Sequence, residues 1–321
     1  MKTQATLKHS RRTTRANMTD IIIVGAGTAG MTAGLYALRN GKSVTIIEST
    51  GFGGQIANSP RVENFPSVKS ISGIEFSDNL FEQISALGAE IEFDEVQKVE
   101  KVDDIFNVFL PNKTLQAKSV ILATGVKHRQ LNLPRENEFV GKGVSYCAVC
   151  DGPFYKEQDV ALVGDGNSAL QYGILLSNYC KNVYVCTLTD KFFGDGKLTE
   201  TLLNKTNVKQ IPNVSATAFV GDGEITGIEL SSTKTSEKRI LDCNAVFVAI
   251  GQEPKNSRFA NLADLDEKGY FIADEKCMTK TNGVFVAGDC RTKVVRQLTT
   301  AVADGAVAAL NACHYLEQID K

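Results

Sequence analysis

No apolar run in this 321-residue chain approaches the ~20 residues of a membrane-spanning helix, so no transmembrane segment is expected. Histidine is scarce, with only His9, His128 and His314. There is one Cys-x-x-Cys, Cys147 to Cys150, and the other cysteines (Cys180, Cys186, Cys243, Cys277, Cys290, Cys313) are scattered. A zinc site built on that pair lacks a second pair of ligands. The spacings are not those of a secreted disulfide scaffold; they suit a reducing cytosol, and a cytoplasmic protein is expected. Charge of one sign is also missing: 35 Lys and Arg stand against 37 Asp and Glu, a net of −2, which argues against a general nucleic-acid binder. The balance hides an asymmetry. Residues 1–17 carry five basic residues (Lys2, Lys8, Arg11, Arg12, Arg15) and no acid, so the rest of the chain sums to −7. That head lacks the apolar region of a secretory signal. An unstructured tail is expected there, with Met18 opening the folded part; a transit peptide rich in Arg, Ser and Thr is the alternative.

What is present is enough for two domains with real cores: 43% hydrophobic and 22% charged residues, ordinary for a globular protein. Asp20 to Val24 is a continuous β-branched run and reads as a buried strand. It enters Gly25-Ala26-Gly27-Thr28-Ala29-Gly30 and a helix to about Asn40, and the next strand, Val44 to Ile47, ends at Glu48. This is a βαβ unit with the dinucleotide fingerprint in its context. Gly25 permits the tight turn, Gly27 the approach of a pyrophosphate, and Gly30 close packing of helix on strand. Glu48, 23 residues after Gly25, is placed to accept bonds from an adenosine ribose.

Gly51 to Ile56 reads as a glycine-rich loop, residues 73–88 as helix, and 91–123 as short strands that end Ala123-Thr124-Gly125 at the edge of the first domain. After the Cys-x-x-Cys a second βαβ begins. Val160 to Val163 leads into Gly164-Asp165-Gly166-Asn167, a helix to about Tyr179, and a strand Val183 to Cys186. Strands around 208–240 and Ala245 to Ile250 follow. The chain then returns through Val284 to Asp289 and an Ala-rich amphipathic helix from Arg296 to about Tyr315.

Two cysteines two residues apart can close a small disulfide and reopen it as a dithiol, one thiol attacking and the other resolving. Asp151, directly after Cys150, supplies proton handling, since no histidine lies in the segment. Half of a zinc site and a structural disulfide remain the competing readings of the motif alone, although so short a loop gains little stability.

Cys-Ala-Val-Cys-Asp-Gly between two dinucleotide folds, Gly-Gly-Gln after the first, Ala-Thr-Gly, and a late Gly-Val-Phe-Val-Ala-Gly-Asp followed by Arg-Gln-Leu-Thr-Thr-Ala resemble the low-molecular-weight thioredoxin reductases. The likeness covers the chain from Met18 onward. It implies an α/β fold of two Rossmann-like, three-layer ββα domains, the second inserted in the first. An FAD domain would span 18–125 and 252–321, and an inserted redox domain 126–251. FAD would lie on Gly25 to Gly30 with Glu48 at the ribose; Gly53, Gly54, Gln55 and Asn64 would wrap the flavin, and Val96 would touch the adenine through its backbone. Ala123, Thr124, Gly125, Gly288 and Asp289 would add to the cofactor site, with Asp289 on the ribitol. Arg296 and Gln297 would stand at a helix start whose positive end stabilises reduced flavin. Electrons would pass from FAD to Cys150, which would lie against the flavin, and Cys147 would attack thioredoxin with Asp151 as acid and base. Hinges near 125 and 251 and a homodimer are also implied.

The second fold departs from that family. The usual Gly-Gly-Gly-Asn carries Asp165, and a carboxylate a few ångströms from a diphosphate costs on the order of a few kcal/mol before screening. The residue 23 beyond Gly164 is Thr187, not an acid, and the family's His-Arg-Arg-x-x-x-Arg is replaced by Thr187-Leu188-Thr189-Asp190-Lys191-Phe192-Phe193. The glutamate of the following helix is Gln171. One lysine does not replace bidentate arginines on a phosphate. The chain thus resembles the branch that takes electrons from reduced ferredoxin. An NADPH-dependent reductase with a drifted site, and a flavin-dependent dithiol oxidase, are the alternatives; a non-catalytic flavin-bound sensor is a third.

Overall fold

The computed structural model describes residues 18–59, 61–319 and 321, so the expectation for residues 1–17 lies outside the described residues. In chain order, the first part holds β1 (Met18–Val24), α1 (Thr28–Arg39), β2 (Val44–Glu48), α2 (Gly73–Ala86), β3 (Glu90–Phe93), β4 (Lys98–Val102), β5 (Ile105–Phe109) and β6 (Thr114–Leu122). There follow β7 (Lys127–His128), α3 (Glu136–Phe139), β8 (Val144–Ser145), α4 (Ala148–Asp151), β9 (Asp159–Val163), α5 (Asn167–Leu176) and β10 (Asn182–Cys186). Next come α6 (Gly196–Leu203), β11 (Val208–Ile211), β12 (Val214–Val220), β13 (Gly227–Ser232), β14 (Lys238–Asp242), β15 (Ala245–Val248) and β16 (Gln252–Glu253). β17 (Val284–Val286) and α7 (Leu298–Ile319) close the chain. Two compact units result. One takes the chain up to Ser59, Phe65–Val126 and Glu253–Lys321, and the other takes the segment ending at Asn64 together with Lys127–Gln252.

The first unit is built on a seven-stranded sheet ordered β3-β2-β1-β6-β5-β4, with β17 also on β6. Ile21, Ile22 and Ile23 are fully buried, as a central parallel strand covered on both faces requires. β6 lies inside the sheet, and the chain leaves the first unit shortly after it, at Val126. Its nine residues are long enough to serve three neighbours: β1 along its length, β5 antiparallel on its first half, and β17 parallel at Val120–Leu122. α1 packs on α7 through small residues, and a Cβ on Gly305 would come within 2.3 Å of the Ala29 carbonyl oxygen. α7 starts two residues later than the pattern indicates and runs four residues further, because Leu316 still points into the core.

The second unit carries a five-stranded parallel sheet, β11-β10-β9-β15-β8, and a separate antiparallel sheet β12-β13-β14. Its helix α5 stops at Leu176, short of Tyr179, where the chain turns and the Tyr179 carbonyl accepts the Glu157 N–H at 2.9 Å. Each unit therefore has the parallel βαβ core read from its glycine loop. The expected α/β class with Rossmann-like units is the one observed.

Candidate active site

In the first unit two glycine loops lie backbone to backbone. The turn after β1 places Gly25 at φ +106°, where a Cβ would stand 2.4 Å from the Ala123 carbonyl oxygen. Gly53, also left-handed at φ +86°, donates its N–H to Ala26 O at 2.9 Å and bridges to Gly27. A Cβ on Gly30 would come within 1.9 Å of Gly25 O, so α1 begins as close to the turn as a backbone can. Thr28 and Ala29 are buried in the first turn of α1. The glycine-rich loop expected over 51–56 winds from Gly54 into a 3₁₀ turn, Gly54–Asn58, with the left-handed Gly53 ahead of it.

Glu48 sits at the end of β2, 8% exposed. Its Oε2 accepts Ala26 N–H at 2.8 Å, and Oε1 accepts Thr50 N–H at 2.7 Å, Thr50 Oγ1–H at 2.9 Å and Gly51 N–H at 3.3 Å. Burial works to raise this carboxyl, and the four donated bonds outweigh it, leaving its pKa below the usual value. Glu48 thus ties the two loops together as an ionised group. Gln55 donates Nε2–H to Val126 O at 2.5 Å, and the Val96 carbonyl is taken by Arg258 at 2.6 Å. Asn64, expected with these residues, belongs to the other unit and is exposed.

The return of the chain brings a strap, 288–297, against α7. Gly288 N–H, Arg291 Nε, Arg291 Nη2 and Lys293 Nζ all donate to the Asp304 carboxylate, at 3.1, 2.9, 2.8 and 2.8 Å. Arg296 donates to the carbonyls of Asp289 and Arg291 and lies 4.1 Å from the centre of the Tyr270 ring. Gln297 precedes α7 and its carbonyl accepts the Ala301 N–H at 2.9 Å. Thr124 donates to Asn256 at 2.8 Å, and Asn256 in turn donates to Gly269 O and Cys290 O, both at 2.9 Å. Gly125 follows with φ +63°.

Asp304, Arg291 and Asn256 escaped the sequence reading. An aspartate on the buried Ala301–Ala308 face of an Ala-rich helix was the available signal. Burial pushes the Asp304 carboxyl up, and the bonds from Arg291 and Lys293 more than reverse this, so it lies below the usual range. Its contribution to stability is therefore full above the ordinary carboxylate pKa and is lost as pH falls through the lowered one. Asp304→Asn, which leaves two buried cations uncompensated, should cost about 3–5 kcal/mol in urea unfolding at neutral pH. The deficit should shrink at acid pH; an unchanged unfolding midpoint at neutral pH would contradict the role given to Asp304.

In the second unit Cys147 and Cys150 form a disulfide, with Cα atoms 5.3 Å apart. The pair is seated at the start of α4, where Cys150 N–H and Asp151 N–H reach Cys147 O at 3.2 and 3.0 Å. Val149 between them is exposed. Asp151 Oδ2 accepts the Ser145 hydroxyl at 2.6 Å, and the same Ser145 Oγ accepts Cys147 N–H at 3.1 Å. Burial raises the Asp151 carboxyl, and the Ser145 bond opposes that rise. Ser145 was not foreseen; a serine two residues before the first cysteine was the only hint. His128 stacks on Tyr146, the neighbour of Cys147, at 5.3 Å. Its burial lowers its pKa to about 4, so it brings no positive charge to a thiolate at neutral pH.

Among the described residues, two buried side-chain oxygens have no hydrogen-bond partner: Asp289 Oδ1 and Asp151 Oδ1. Asp289 lies in the 3₁₀ turn Gly288–Cys290 that follows β17, and burial raises its pKa. A buried carboxylate oxygen beside a cradle of glycines fits a bound group that brings hydroxyls and phosphates. No cluster of side chains able to hold a metal is found among the described residues.

The sequence profile of the pyridine nucleotide-disulphide oxidoreductases matches residues 19–305. The chain belongs to this family. A thioredoxin reductase of Listeria monocytogenes is 38% identical over 301 residues, 94% of each chain. A Clostridium pasteurianum relative, described as a 34.2 kDa protein in a rubredoxin operon, is 38% identical over 298 residues, covering 92% of this chain and 97% of its own. The crystal structure of a Streptococcus pyogenes thioredoxin reductase superposes with a TM-score of 0.91 at 36% identity, over 94% of this chain and 99% of that one. This member of the pyridine nucleotide-disulphide oxidoreductases also has a second glycine loop, Gly164-Asp165-Gly166-Asn167, ahead of α5. Phe193 N–H donates to Asp165 O at 2.8 Å, and Asp195 N–H to Asn167 Oδ1 at 2.7 Å. The first turn of α5 thus meets Phe193 and Asp195, with no arginine in residues 164–196.

Proposed function

We propose that this protein is an FAD-dependent disulfide reductase that reduces thioredoxin through Cys147 and Cys150, with reduced ferredoxin rather than NADPH as its electron source. The observation that carries the redox role is the Cys147–Cys150 disulfide set beside a buried acid with one oxygen held and the other unpartnered. The first unit holds FAD on the loops 25–30 and 53–55, with Glu48, Asp289, Arg296 and Gln297 around it. The second unit, inserted in the first, carries the disulfide, and the protein works as a homodimer.

FAD, when bound, would supply an electron pair, which with two protons from solvent converts the Cys147–Cys150 disulfide to a dithiol. The thiolate of Cys147 then attacks a sulfur of the thioredoxin disulfide, forming a mixed disulfide and expelling a thioredoxin thiolate, which takes up a proton. Cys150 attacks the Cys147 sulfur, which re-forms the internal disulfide and releases the second thioredoxin thiol. Asp151, whose raised pKa favours the protonated form, gives a proton to a leaving thiolate and takes one back from a thiol. Two features favour the donor reading: the absence of an arginine clamp in 164–196 and the acid Asp165 in the loop before α5. One observation favours the runner-up, an NADPH-dependent reductase. Gly164 keeps a left-handed φ of +146°, and a Cβ there would lie 2.5 Å from Ala249 O, as in a working phosphate loop.

The purified protein should be yellow and release one FAD per chain on denaturation. After chemical reduction under argon it should convert oxidised thioredoxin to the dithiol, measured by thiol labelling. Release of FMN, or no flavin at all, would sink the cofactor assignment; untouched thioredoxin would sink the substrate.

A further inference from the structure

We infer that Ser145 is a positioning residue that couples Asp151 to Cys147, an inference that rests on the disulfide-reductase reading above. Its Oγ is the one atom bonded to both partners. The hydroxyl gives its proton to Asp151 Oδ2 at 2.6 Å and accepts the backbone N–H of Cys147 at 3.1 Å. The serine and the acid come from different elements. Ser145 stands in β8, locked by its parallel pairing with Phe247 of β15, and is 4% exposed. Asp151 closes α4, its N–H fixed on Cys147 O at 3.0 Å. A carboxylate between a strand and a helix can turn about two side-chain torsions. The serine bond fixes that turn and leaves Oδ1 as the buried oxygen without a partner.

The same bond tunes the acid. A donated O–H favours the carboxylate over the carboxylic acid, against the effect of burial. The titratable groups that face Asp151 are Tyr155, after α4, and Tyr172, on α5. Burial raises both phenols, Tyr155 to about 12, and Tyr172 donates its hydroxyl to Tyr146 O at 3.3 Å, so both stay neutral while Asp151 titrates. Ser145 is then the group that lets a buried carboxyl part with its proton. When Asp151 gives that proton to a leaving thiolate, the carboxylate formed finds the serine O–H already aimed at it. A second bond is within reach of the same oxygen, to Cys147 O at 3.4 Å, open to the hydroxyl proton when Asp151 is neutral.

The test is a direct titration of Asp151 by carbon-13 carboxyl resonance in the oxidised holoprotein, its signal identified by its loss in Asp151→Asn. Ser145→Ala should bind the Asp151 proton about 10- to 100-fold more tightly, the factor for one lost charge-assisted hydrogen bond. Ser145→Thr, which keeps the hydroxyl, should titrate as the native protein does. The alkaline fall-off in thioredoxin reduction should move upward in pH in the alanine variant and stay in place in the threonine variant. An Asp151 titration unchanged in Ser145→Ala, or shifted alike in alanine and threonine variants, would overturn the inference. Should the resonance shift as expected in a protein that reduces no disulfide, Ser145 still positions Asp151 and the proposed function alone fails.

Discussion

Cys150→Ser should abolish thioredoxin reduction while the protein stays folded and keeps its flavin. The disulfide is then impossible, so no internal acceptor of an electron pair exists, and Cys147 is left as a lone thiol. Cys147→Ser should be as inactive for the complementary reason: Cys150 remains, but no attacking thiol is left to meet thioredoxin. No other cysteine can stand in. All six are buried, and burial pushes Cys180 up to about 11 and Cys186, Cys243 and Cys277 up to about 12, with Cys290 and Cys313 raised as well. At neutral pH such thiols supply almost no thiolate. A structural disulfide makes the opposite forecast, turnover kept and the unfolding midpoint lowered. Against it, a loop of so few residues gains little from closure, so the expected midpoint barely moves in either variant. Steady-state reduction of thioredoxin, with urea unfolding as the control, separates the two. A single mutant with normal turnover would remove the pair from the chemistry, whatever its stability.

The parallel cores were legible because their signals are local. Ile21 to Ile23 followed by glycines can hardly be anything but a buried strand entering a tight turn, and Gly25 and Gly30 indeed admit no side chain. Edges and helix ends were less so, since they depend on partners far along the chain. The third neighbour of β6, β17, could not be read locally because it arrives more than 160 residues later. α7 was cut short at Tyr315, since an exposed last turn and a buried Leu316 cannot be told apart by periodicity alone. The polar details were the hardest. Glu48 was marked for a ribose, and in the fold its carboxylate holds the backbone of Ala26, Thr50 and Gly51. Ser145 and Asp304 are ordinary residues in ordinary places until the sheet and the strap bring donors to them. Spacing identifies the residues that need a special backbone; it is silent on those that need only a neighbour.

NADPH should reduce the flavin slowly or not at all, and NADH should do no better. The argument is a count of missing contacts. Where a 2′-phosphate is gripped by arginines, this chain offers Leu188, Thr189 and Phe193, with Leu188 and Phe193 largely exposed, and Lys191 as the one cation in the segment. Two or three lost charge-assisted bonds at ~1.5–3 kcal/mol each carry a micromolar site to millimolar or weaker. Thr187, which donates to its own chain at Thr189 O at 2.7 Å, has no carboxylate for the ribose of NADH. One acid adds repulsion to absence: Asp165 lies in the loop before α5, where a diphosphate would have to settle, whereas the Asp195 carboxylate caps α6 by accepting the N–H groups of Lys197 and Leu198. Reduced ferredoxin, or a chemical one-electron donor, needs none of these contacts and should reduce the flavin and then the disulfide. Anaerobic stopped-flow spectroscopy under each donor in turn reads the outcome as loss of the flavin absorption band. Rapid loss at micromolar NADPH would show that Gly164 and its loop still hold a dinucleotide, and the donor would then be NADPH.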